Sequence, residues 1–272
     1  MSRIKPEVAQ QSIKSFTKRF GEAHLYLAYH AAFPLELTPD LLYSLWIKFQ
    51  KDIQGKVLGI PWIAVADLLL SALCDEVGHE LYEMDLAVRN QLLRELESDE
   101  RFGKQRINRL SNFLLEYVRQ KLQSNDPDIL DFAKTQQWLA LAYTQPNQAA
   151  RELALAFSKL DEHNKAELLR MASLTETLAE PLAEFQPLLM YAHGMGKFAC
   201  GDVEAAKAEF GEVFKGRKYI YFEGVLLPVP DQIGFKTFSF ETITVDARGN
   251  ITNRRNCEAN YFMEDLGNGV AL

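Results

Sequence analysis

The segment that most constrains the fold is IPWIAVADLLLSALCDEVGHELYEMDLAVRNQLLREL, residues 60–96. Its first part is apolar on nearly every side of a predicted helix, so neighbouring elements have to cover it. The polar sequence CDEVGHE then predicts a turn, ELYEM predicts a short extended piece, and an amphipathic helix follows over residues 86–96. Two helices and a strand therefore have to pack together within one short segment.

Two helical segments precede this one. Residues 8–33 carry apolar side chains at helical spacing, with a bend expected near Gly21. Thr38 is a predicted N-cap, and Pro39 suits the first turn of the next helix because that position needs no amide donor. Helix, helix, short hairpin and helix is the order of a winged-helix-like unit, which we predict for residues 1–100.

The helix before the hairpin has the wrong chemistry for DNA. In DNA-binding winged helices this helix enters the major groove and presents basic or amide side chains. Here it contains no Lys or Arg and carries Asp67, so it has no means of neutralising phosphates. The whole chain has 30 Lys+Arg against 37 Asp+Glu, a formal charge of -7. We expect a protein or peptide partner, and neither nucleic acid nor a membrane surface.

Residues 101–216 are predicted to form an array of helical hairpins. A helix is expected over residues 102–122, and Asp126 before Pro127 marks the start of the next. The helices that follow are predicted over residues 127–143, 146–160, 164–179, 182–199 and 203–215. Short connections between helices of similar length favour packing of successive helices against each other.

The last helix pair resembles a tetratricopeptide repeat. That repeat places a small residue where two helices approach closely, then a turn, then a small and an aromatic residue on the second helix. The matching positions are Gly194, Gly201, Asp202, Ala206 and Phe210. We therefore expect the array to be tetratricopeptide-like at its end.

The composition changes to that of β structure in residues 217–272. RKYIYFEGVLLPVPDQ predicts a strand followed by a proline-broken linker, and TFSFETITV predicts a second strand over residues 237–245. DARGN supplies a turn, and ITNRRNCEANYFMEDL returns as its partner, which gives a small C-terminal β-hairpin. Because an isolated hairpin is marginal in water, it must dock on the helical body, pair with another chain or belong to a domain that continues beyond Leu272.

Two parts of the chain resemble known bacterial proteins. Residues 19–215, with RFGEAHLYLAYHAAFPLELTPDLLYSLW and IPWIAVADLLLSALCDEVGHELYEMDLAVRNQLL, resemble an uncharacterised helical region of large multidomain signalling or conflict-system proteins. TFSFETITVDARGNITNRRNCEANYFMEDLGNGVAL resembles the lead-in to a formylglycine-generating-enzyme-like (sulfatase-modifying) domain. The segments that hold the paired active-site cysteines of that enzyme have no counterpart here, and Cys257 does not match them. The resemblance implies a piece of a longer protein and transfers no catalytic or metal residue.

No catalytic, cofactor-binding or metal site is predicted. The densest group of possible ligands is Cys74, Asp75, Glu76, His79 and Glu80. Its spacing fits neither paired-cysteine zinc sites nor an HExxH helix, because Glu83 occupies the second histidine position. A polar turn is the better interpretation of this group.

The sequence HGMGKF is the nearest approach to a phosphate loop. Tyr191 stands where a P-loop needs a glycine, and Phe198 stands where it needs Ser or Thr, so we predict no nucleotide site. The remaining candidates are aromatic or imidazole side chains that we expect to be packed or half-buried in the core, with lining of a peptide-binding groove as the alternative for a few of the aromatic ones. They are His24, His30, Trp46, Trp62 and Trp138.

These observations predict a mainly α-helical protein with a winged-helix-like unit, a tetratricopeptide-like array and a small C-terminal β-hairpin. Three widely spaced cysteines and an N-terminus without an apolar signal core indicate a cytoplasmic protein with reduced thiols. The expected function is non-enzymatic: a protein-interaction or regulatory region that couples partner binding to a C-terminal effector or ligand-binding domain in bacterial defence signalling. The alternatives are an accessory fragment of a formylglycine-generating-enzyme-like oxidoreductase and a transcriptional regulator.

Overall fold

Helices dominate the computed structural model, which describes residues 5–214, 219–233, 239–245 and 251–258. The first six are α1 (Pro6–Phe20), α2 (Glu22–Ala31), α3 (Pro39–Lys48), α4 (Ala64–Leu69), α5 (Leu86–Ser98) and α6 (Gly103–Val118). The next five are α7 (Pro127–Thr144), α8 (Pro146–Ser158), α9 (Lys165–Thr177), α10 (Gln186–Ala199) and α11 (Val203–Phe214). Short 3-10 helices cover Lys121–Gln123 and Asp231–Ile233. The predicted mainly α fold is confirmed.

The strands of the described residues form three small antiparallel sheets. They are β1 (Glu36–Leu37), β2 (Cys74–Gly78), β3 (Leu81–Met84), β4 (Tyr219–Phe222), β5 (Val225–Pro228), β6 (Ser239–Val245) and β7 (Ile251–Glu258). The first three strands pair in the order β1-β3-β2, and the other four form the hairpins β4-β5 and β6-β7. The predicted C-terminal hairpin is therefore confirmed, while its predicted turn at residues 246–250 lies outside the described residues.

Several helix boundaries follow from local chemistry as predicted. Gly21 adopts a φ of 91°, which an L side chain rarely takes, and it separates α1 from α2. The Thr38 hydroxyl accepts a hydrogen bond from the Leu41 amide at 3.2 Å, and Pro39 opens α3. Asp126 caps α7 in the same way by accepting from the Asp128 amide at 2.9 Å. The predicted bend at Gly21 is a complete break between helices.

The polar sequence CDEVGHE is a strand rather than the predicted turn. Its first five residues form β2, and only His79 and Glu80 turn the chain into β3, with Glu80 at a φ of 54°. The prediction was wrong because Cys74 is the only buried residue of β2, so the strand shows no apolar alternation. Backbone pairing with β3 supplies its stability instead.

The apolar helix at the centre of the chain is shorter and less covered than its sequence predicts. Its six residues end where the Ser71 hydroxyl donates to the Leu68 carbonyl and accepts from the Leu73 amide. Leu70 is 81% exposed and Trp62 is 59% exposed. The predictions of full coverage and of a buried Trp62 are therefore wrong, because apolar composition does not report which sides have a neighbour.

In the helical array, consecutive helices from α6 to α8 and from α9 to α11 pack against each other. The predicted ranges agree with the observed ones to within about two residues except in two places. The helix predicted over residues 102–122 ends at Val118, and residues 182–185 lie outside any helix before α10 begins at Gln186. Pro187 favours that start because its ring fits the first helical turn. Leu182 is nevertheless buried and belongs to the core.

The last helix pair packs as its sequence predicts. Gly194 lies directly against the ring of Phe210, where a Cβ atom would come within 2.7 Å of Cε1. Ala206 and Phe210 are fully buried, and Gly201 turns the chain at a φ of 85°. The Asp202 carboxylate accepts from the Ala205 amide at 3.1 Å. A side-chain-free position on α10 therefore determines how closely α11 approaches.

The segment YIYFEGVLLP is a hairpin, whereas the sequence predicted one strand and a linker. Glu223 and Gly224 have φ values of 46° and 82°, which suit a two-residue hairpin turn. Phe222 and Leu227 are buried, and β5 packs on α8. The Tyr191 hydroxyl donates to the Pro228 carbonyl at 3.1 Å and fixes the hairpin to α10.

Replacing Gly194 with alanine tests the close packing of α10 and α11. The added methyl group collides with the Phe210 ring, and overpacking of this kind costs about 1–3 kcal/mol of unfolding free energy. Gly211→Ala on α11 is the matched control, because its Cβ meets nothing within 4 Å. It should stabilise by about 0.5–1 kcal/mol through the helix preference of alanine. Urea unfolding curves that change equally for both variants would contradict the packing.

Candidate interaction surface

An exposed apolar surface surrounds α4. Half of the large apolar side chains that are exposed among the described residues lie between α3 and β2. They are Tyr43, Ile47, Val57, Trp62, Ile63, Leu70 and Val77. We call α4 and the residues that flank it, Trp62, Ile63 and Leu70, the α4 surface. Concentrated exposed apolar side chains mark interaction sites more often than scattered ones do.

The α4 surface is held in place from beneath. Four of the six residues of α4, including the terminal Ala64 and Leu69, are buried, so the exposed apolar side chains lie in the segments that flank the helix. The Trp46 indole nitrogen donates to the Ile60 carbonyl at 2.9 Å and ties the loop before α4 to α3. Trp62 and Leu70 therefore flank a helix whose position is fixed by the core.

The sequence segment that carries the α4 surface is acidic. Residues 57–88 contain no Lys or Arg. Their carboxylates are Asp67, Asp75, Glu76, Glu80, Glu83 and Asp85. A partner with apolar side chains bordered by lysine or arginine would be complementary to this region in apolar character and in charge.

Both histidines expected in the interior are there. His24 lies 3.1 Å through Nε2 from the Asp67 carboxylate and stacks on the Phe20 ring, so it links α2 to α4. His30 donates from Nδ1 to the Tyr26 carbonyl. Burial, together with the nearby Arg106 charge, lowers the pKa of His30 to about 3, so this imidazole is neutral. His24 and His30 therefore act as packing residues.

The predicted group of possible ligands is spread along β2 and its turn. Cys74 is buried, whereas residues 75–80 are exposed. Burial, with a smaller effect of the Asp75 charge, raises the pKa of the Cys74 thiol to about 12, so it is protonated and a poor nucleophile. Within the described ranges, no three His, Cys, Asp or Glu side chains are placed to hold a metal ion.

The sequence HGMGKF lies inside helix α10 and forms no loop. The Lys197 ammonium group is 2.7 Å from the Glu209 carboxylate of α11, and His193 Nδ1 lies 3.1 Å from the same carboxylate. The lysine therefore joins two helices. Its amide neighbours are engaged in helical structure and cannot cradle a phosphate in the way a P-loop does.

A row of three carboxylates crosses the N-terminal sheet, and no local sequence pattern predicts it. Glu36 of β1 pairs with Glu83 of β3, and Glu83 pairs with Asp75 of β2. These residues, which we call the acidic row, share one sheet face, because opposed residues of neighbouring strands point to the same side. Cys74 and Met84 point to the opposite side and are buried in the core.

The acidic row borders a cleft of about 320 Å³ between the sheet and helices α7 and α9. Asp131 and Arg170 lie on the helical side of the cleft. Arg170 pairs with Asp131 at 3.0 Å and with Glu167 at 2.7 Å, so its charge is shared between these two carboxylates. Burial, followed by the charges of Glu83 and Asp131, raises the pKa of Glu36 to about 7.

The two edges of the sheet differ. At β1, the Gln136 side chain of α7 donates to the Glu36 carbonyl at 3.0 Å and accepts from the Leu35 amide at 3.2 Å. Gln136 is fully buried and seals that edge. At the other end of the order β1-β3-β2, no strand of the described residues pairs with the outer side of β2.

Comparison with known proteins identifies no relative: no protein-family model matches the chain, and no curated protein or solved structure is significantly similar to it. Among the described residues, no helix has the length and apolar character needed to cross a membrane. The α4 surface and the acidic row are the two candidate sites among the described residues.

The acidic row predicts an unusual pH dependence of stability. The folded-state pKa of Glu36, about 7, lies above its ordinary value of 4.5, so the folded protein binds this proton more tightly than the unfolded chain. The resulting stabilisation is complete below the ordinary pKa and is lost as the pH rises through 7. Glu36→Gln should therefore unfold at higher urea concentration than the wild type at about pH 8, by about 1–2 kcal/mol after allowance for partial solvent screening.

The difference between Glu36→Gln and the wild type should disappear below about pH 4, under the ordinary pKa of 4.5, where the wild-type carboxyl is protonated in both states. Glu76→Gln is the control, because Glu76 is an exposed neighbour on the other sheet face. Stability curves of Glu36→Gln and wild type that run parallel across this pH range would contradict the electrostatic account.

Proposed function

We propose that this chain is a non-enzymatic protein-interaction region whose N-terminal part is a winged-helix-like unit. The order α2, β1, α3, α4, β2, β3 and the sheet order β1-β3-β2 support this assignment. In such a unit α4 takes the position of the helix that DNA-binding relatives insert into the major groove. In this chain, we assign to the same exposed position the binding of a protein or peptide partner.

The observation that carries the proposal is the composition of the α4 surface. Trp62 and Leu70 expose most of their side chains, and burial of a large apolar side chain contributes about 1.5–3 kcal/mol. DNA binding would instead need cations to replace counterions along the phosphates. The absence of Lys and Arg from residues 57–88 removes that source of affinity. The partner that fits presents apolar side chains with lysine or arginine around them.

The rest of the chain supports a coupling role. The packing of Gly194 against Phe210 is compatible with a tetratricopeptide-like end of the helical array, and such arrays join neighbouring units through continuous cores. The β6-β7 hairpin follows the array and leads toward the C-terminus. We infer that partner binding at the N-terminal unit is passed through the array to a C-terminal effector or ligand-binding domain, in cytoplasmic bacterial defence signalling.

The two alternative functions gain no support from the described residues. An oxidoreductase accessory role would call for paired reactive thiols, whereas Cys74 is buried and protonated at neutral pH and the exposed Cys200 forms no disulfide. A transcriptional regulator would call for a basic surface on α4 or its hairpin, which is acidic instead.

Selection of peptides from a random library displayed on phage tests the proposal. With the full chain immobilised, the enriched peptides should combine aromatic or aliphatic residues with lysine or arginine. Leu70→Asp should weaken their binding by about tenfold or more, which corresponds to about 1.4 kcal/mol, because it places a charge in the apolar contact. Affinities are measured by titration calorimetry on synthetic copies of the enriched peptides.

Leu155→Asp is the matched control, because Leu155 is also exposed but lies on α8. This variant should bind the peptides as the wild type does. Both variants should unfold thermally within a few degrees of the wild type, as is usual for surface substitutions. Enriched peptides that bind Leu70→Asp unchanged would refute the proposal. Salt-sensitive binding of a DNA duplex would favour the regulator instead.

A further inference from the structure

We propose that the partner of the α4 surface is a second copy of this chain, which receives Trp62 and Leu70 in a lysine-flanked cavity between α1, α2 and α5. We call this hollow the α1 cavity. The contact joins unlike surfaces, because one copy supplies the α4 surface and the other supplies the cavity. This inference rests on the proposed function, since it names the partner of the same surface.

The α1 cavity has a volume of about 450 Å³ and is lined by residues of three helices. Ile13 of α1 is buried and Leu25 of α2 is half-buried, and together they supply its apolar part. Gly21, at a φ of 91°, breaks the chain between these helices, and α2 then packs against α1, so that both side chains line one hollow. Its volume lies within the range of about 300–1,000 Å³ that is usual for binding pockets.

Two lysines flank the α1 cavity. Lys14 and Lys18 are one turn apart on α1, so they lie on the same face of the helix. Both are exposed, and neither forms an ion pair with a residue that the structure describes. The Glu95 carboxylate, which also lines the cavity, already accepts from the Tyr29 hydroxyl at 3.1 Å and from the Gln91 amide at 2.8 Å. The two ammonium groups are therefore open to carboxylates of another molecule.

The α4 surface has the complementary composition. Trp62 and Leu70 leave most of their side chains exposed. Strand β2 packs on α4 and carries the exposed Glu76, and Glu80 is exposed in the turn that follows. One copy therefore offers apolar anchors with carboxylates nearby, and the other offers an apolar cavity with lysines beside it. Anchors that fill a pocket supply most of the affinity of an interface, and matched charges select the orientation.

Contacts between like surfaces fit less well. Two α4 surfaces, or two β2 edges, would bring the exposed carboxylates of both copies together. Two α1 cavities would bring lysines together and would leave Trp62 and Leu70 in water. A contact between unlike surfaces of identical copies can close into a dimer or a ring, or continue as a row of copies. The charge distribution therefore favours the pairing of an α4 surface with an α1 cavity.

Sedimentation velocity of the full chain over a range of protein concentrations tests the inference. The wild type should self-associate at low salt and less at high salt, because salt screens the attraction between lysines and carboxylates. Leu70→Asp should weaken self-association by about tenfold or more, because it places a charge in the apolar cavity. The double variant Lys14→Glu/Lys18→Glu should weaken it to a similar extent, because it replaces attraction with repulsion.

The matched controls make the same changes at exposed sites of the helical array. They are Leu155→Asp on α8 and the double variant Lys134→Glu/Lys159→Glu, with Lys134 on α7 and Lys159 directly after α8. Both controls should self-associate as the wild type does. Thermal unfolding of all four variants checks that they remain folded.

A mixture of the two weakened variants distinguishes unlike from like surfaces. Leu70→Asp keeps an intact α1 cavity, and Lys14→Glu/Lys18→Glu keeps an intact α4 surface. An equal mixture should therefore associate about tenfold more tightly than either variant does alone, because the intact surfaces belong to different copies. A contact between two α4 surfaces would instead let the lysine variant self-associate as the wild type does. A contact between two α1 cavities would let Leu70→Asp do so.

Three results would overturn the inference: a wild type that stays monomeric at every concentration, a variant that self-associates normally, or a mixture that associates no more tightly than its components. If the peptides selected on phage still lose affinity for Leu70→Asp in that case, the proposed function stands and the partner is a different protein. If the mixture associates while the selected peptides bind Leu70→Asp unchanged, self-association stands and the binding of other partners at the α4 surface fails.

Discussion

The N-terminal part of the molecule depends on a three-stranded sheet that is too small to be stable by itself. Sheets of this size need an apolar face packed against helices. Here Leu37, Cys74 and Met84 supply that face and are buried in the common core. The opposite face carries the acidic row and meets α7 and α9 across a charged cleft. One side of the sheet therefore provides stability, and the other lines the cleft.

Buried arginine side chains fix two connecting segments that lie outside the sheet. Arg89 of α5 donates to the Phe33 carbonyl in the connection between α2 and β1. Arg106 of α6 donates to the Lys51 carbonyl and lies over the rings of Phe49 and Phe102, with its guanidinium carbon 5.1 and 5.3 Å from the ring centroids. Removal of the Arg89 side chain would leave the buried Phe33 carbonyl without this donor, which costs more than the hydrogen bond gains. These cations are structural and are not available to phosphates.

Much of the helical framework could be predicted from the sequence, because its signals are local. Thr38 and Asp126 mark helix starts, Gly21 marks a break, and the Gly194 to Phe210 spacing predicts a close helix pair. The features that failed depend on partners far away in sequence. β2 has no apolar pattern, and the coverage of Trp62 depends on which neighbours reach it. Neither the formation of β2 nor the exposure of Trp62 can be predicted from a local sequence pattern.

The acidic row is the clearest case of information that a local pattern lacks. Glu36, Glu83 and Asp75 come together only through strand register, and β1 has just two residues, too few to predict a strand. In the sequence Gln136 is likewise one polar residue within a helical pattern. Its role depends on contacts with the backbone of Leu35 and Glu36, which are far away in the sequence. A like-charge row of this kind is tolerated because Glu36 can take up a proton and because the cleft admits solvent.

The absence of cations from residues 57–88 links the α4 surface to the acidic row. The α4 surface and two of the three row residues, Asp75 and Glu83, belong to this acidic segment, so a basic partner would be attracted to both before either makes contact. Such long-range attraction raises association rates and is weakened by salt, whereas burial of Trp62 and Leu70 acts at short range and slows dissociation. The acidic carboxylates would then orient the partner and the apolar side chains would retain it. An acidic edge also discourages pairing between copies of the chain, so one distribution of charge serves both selection and solubility.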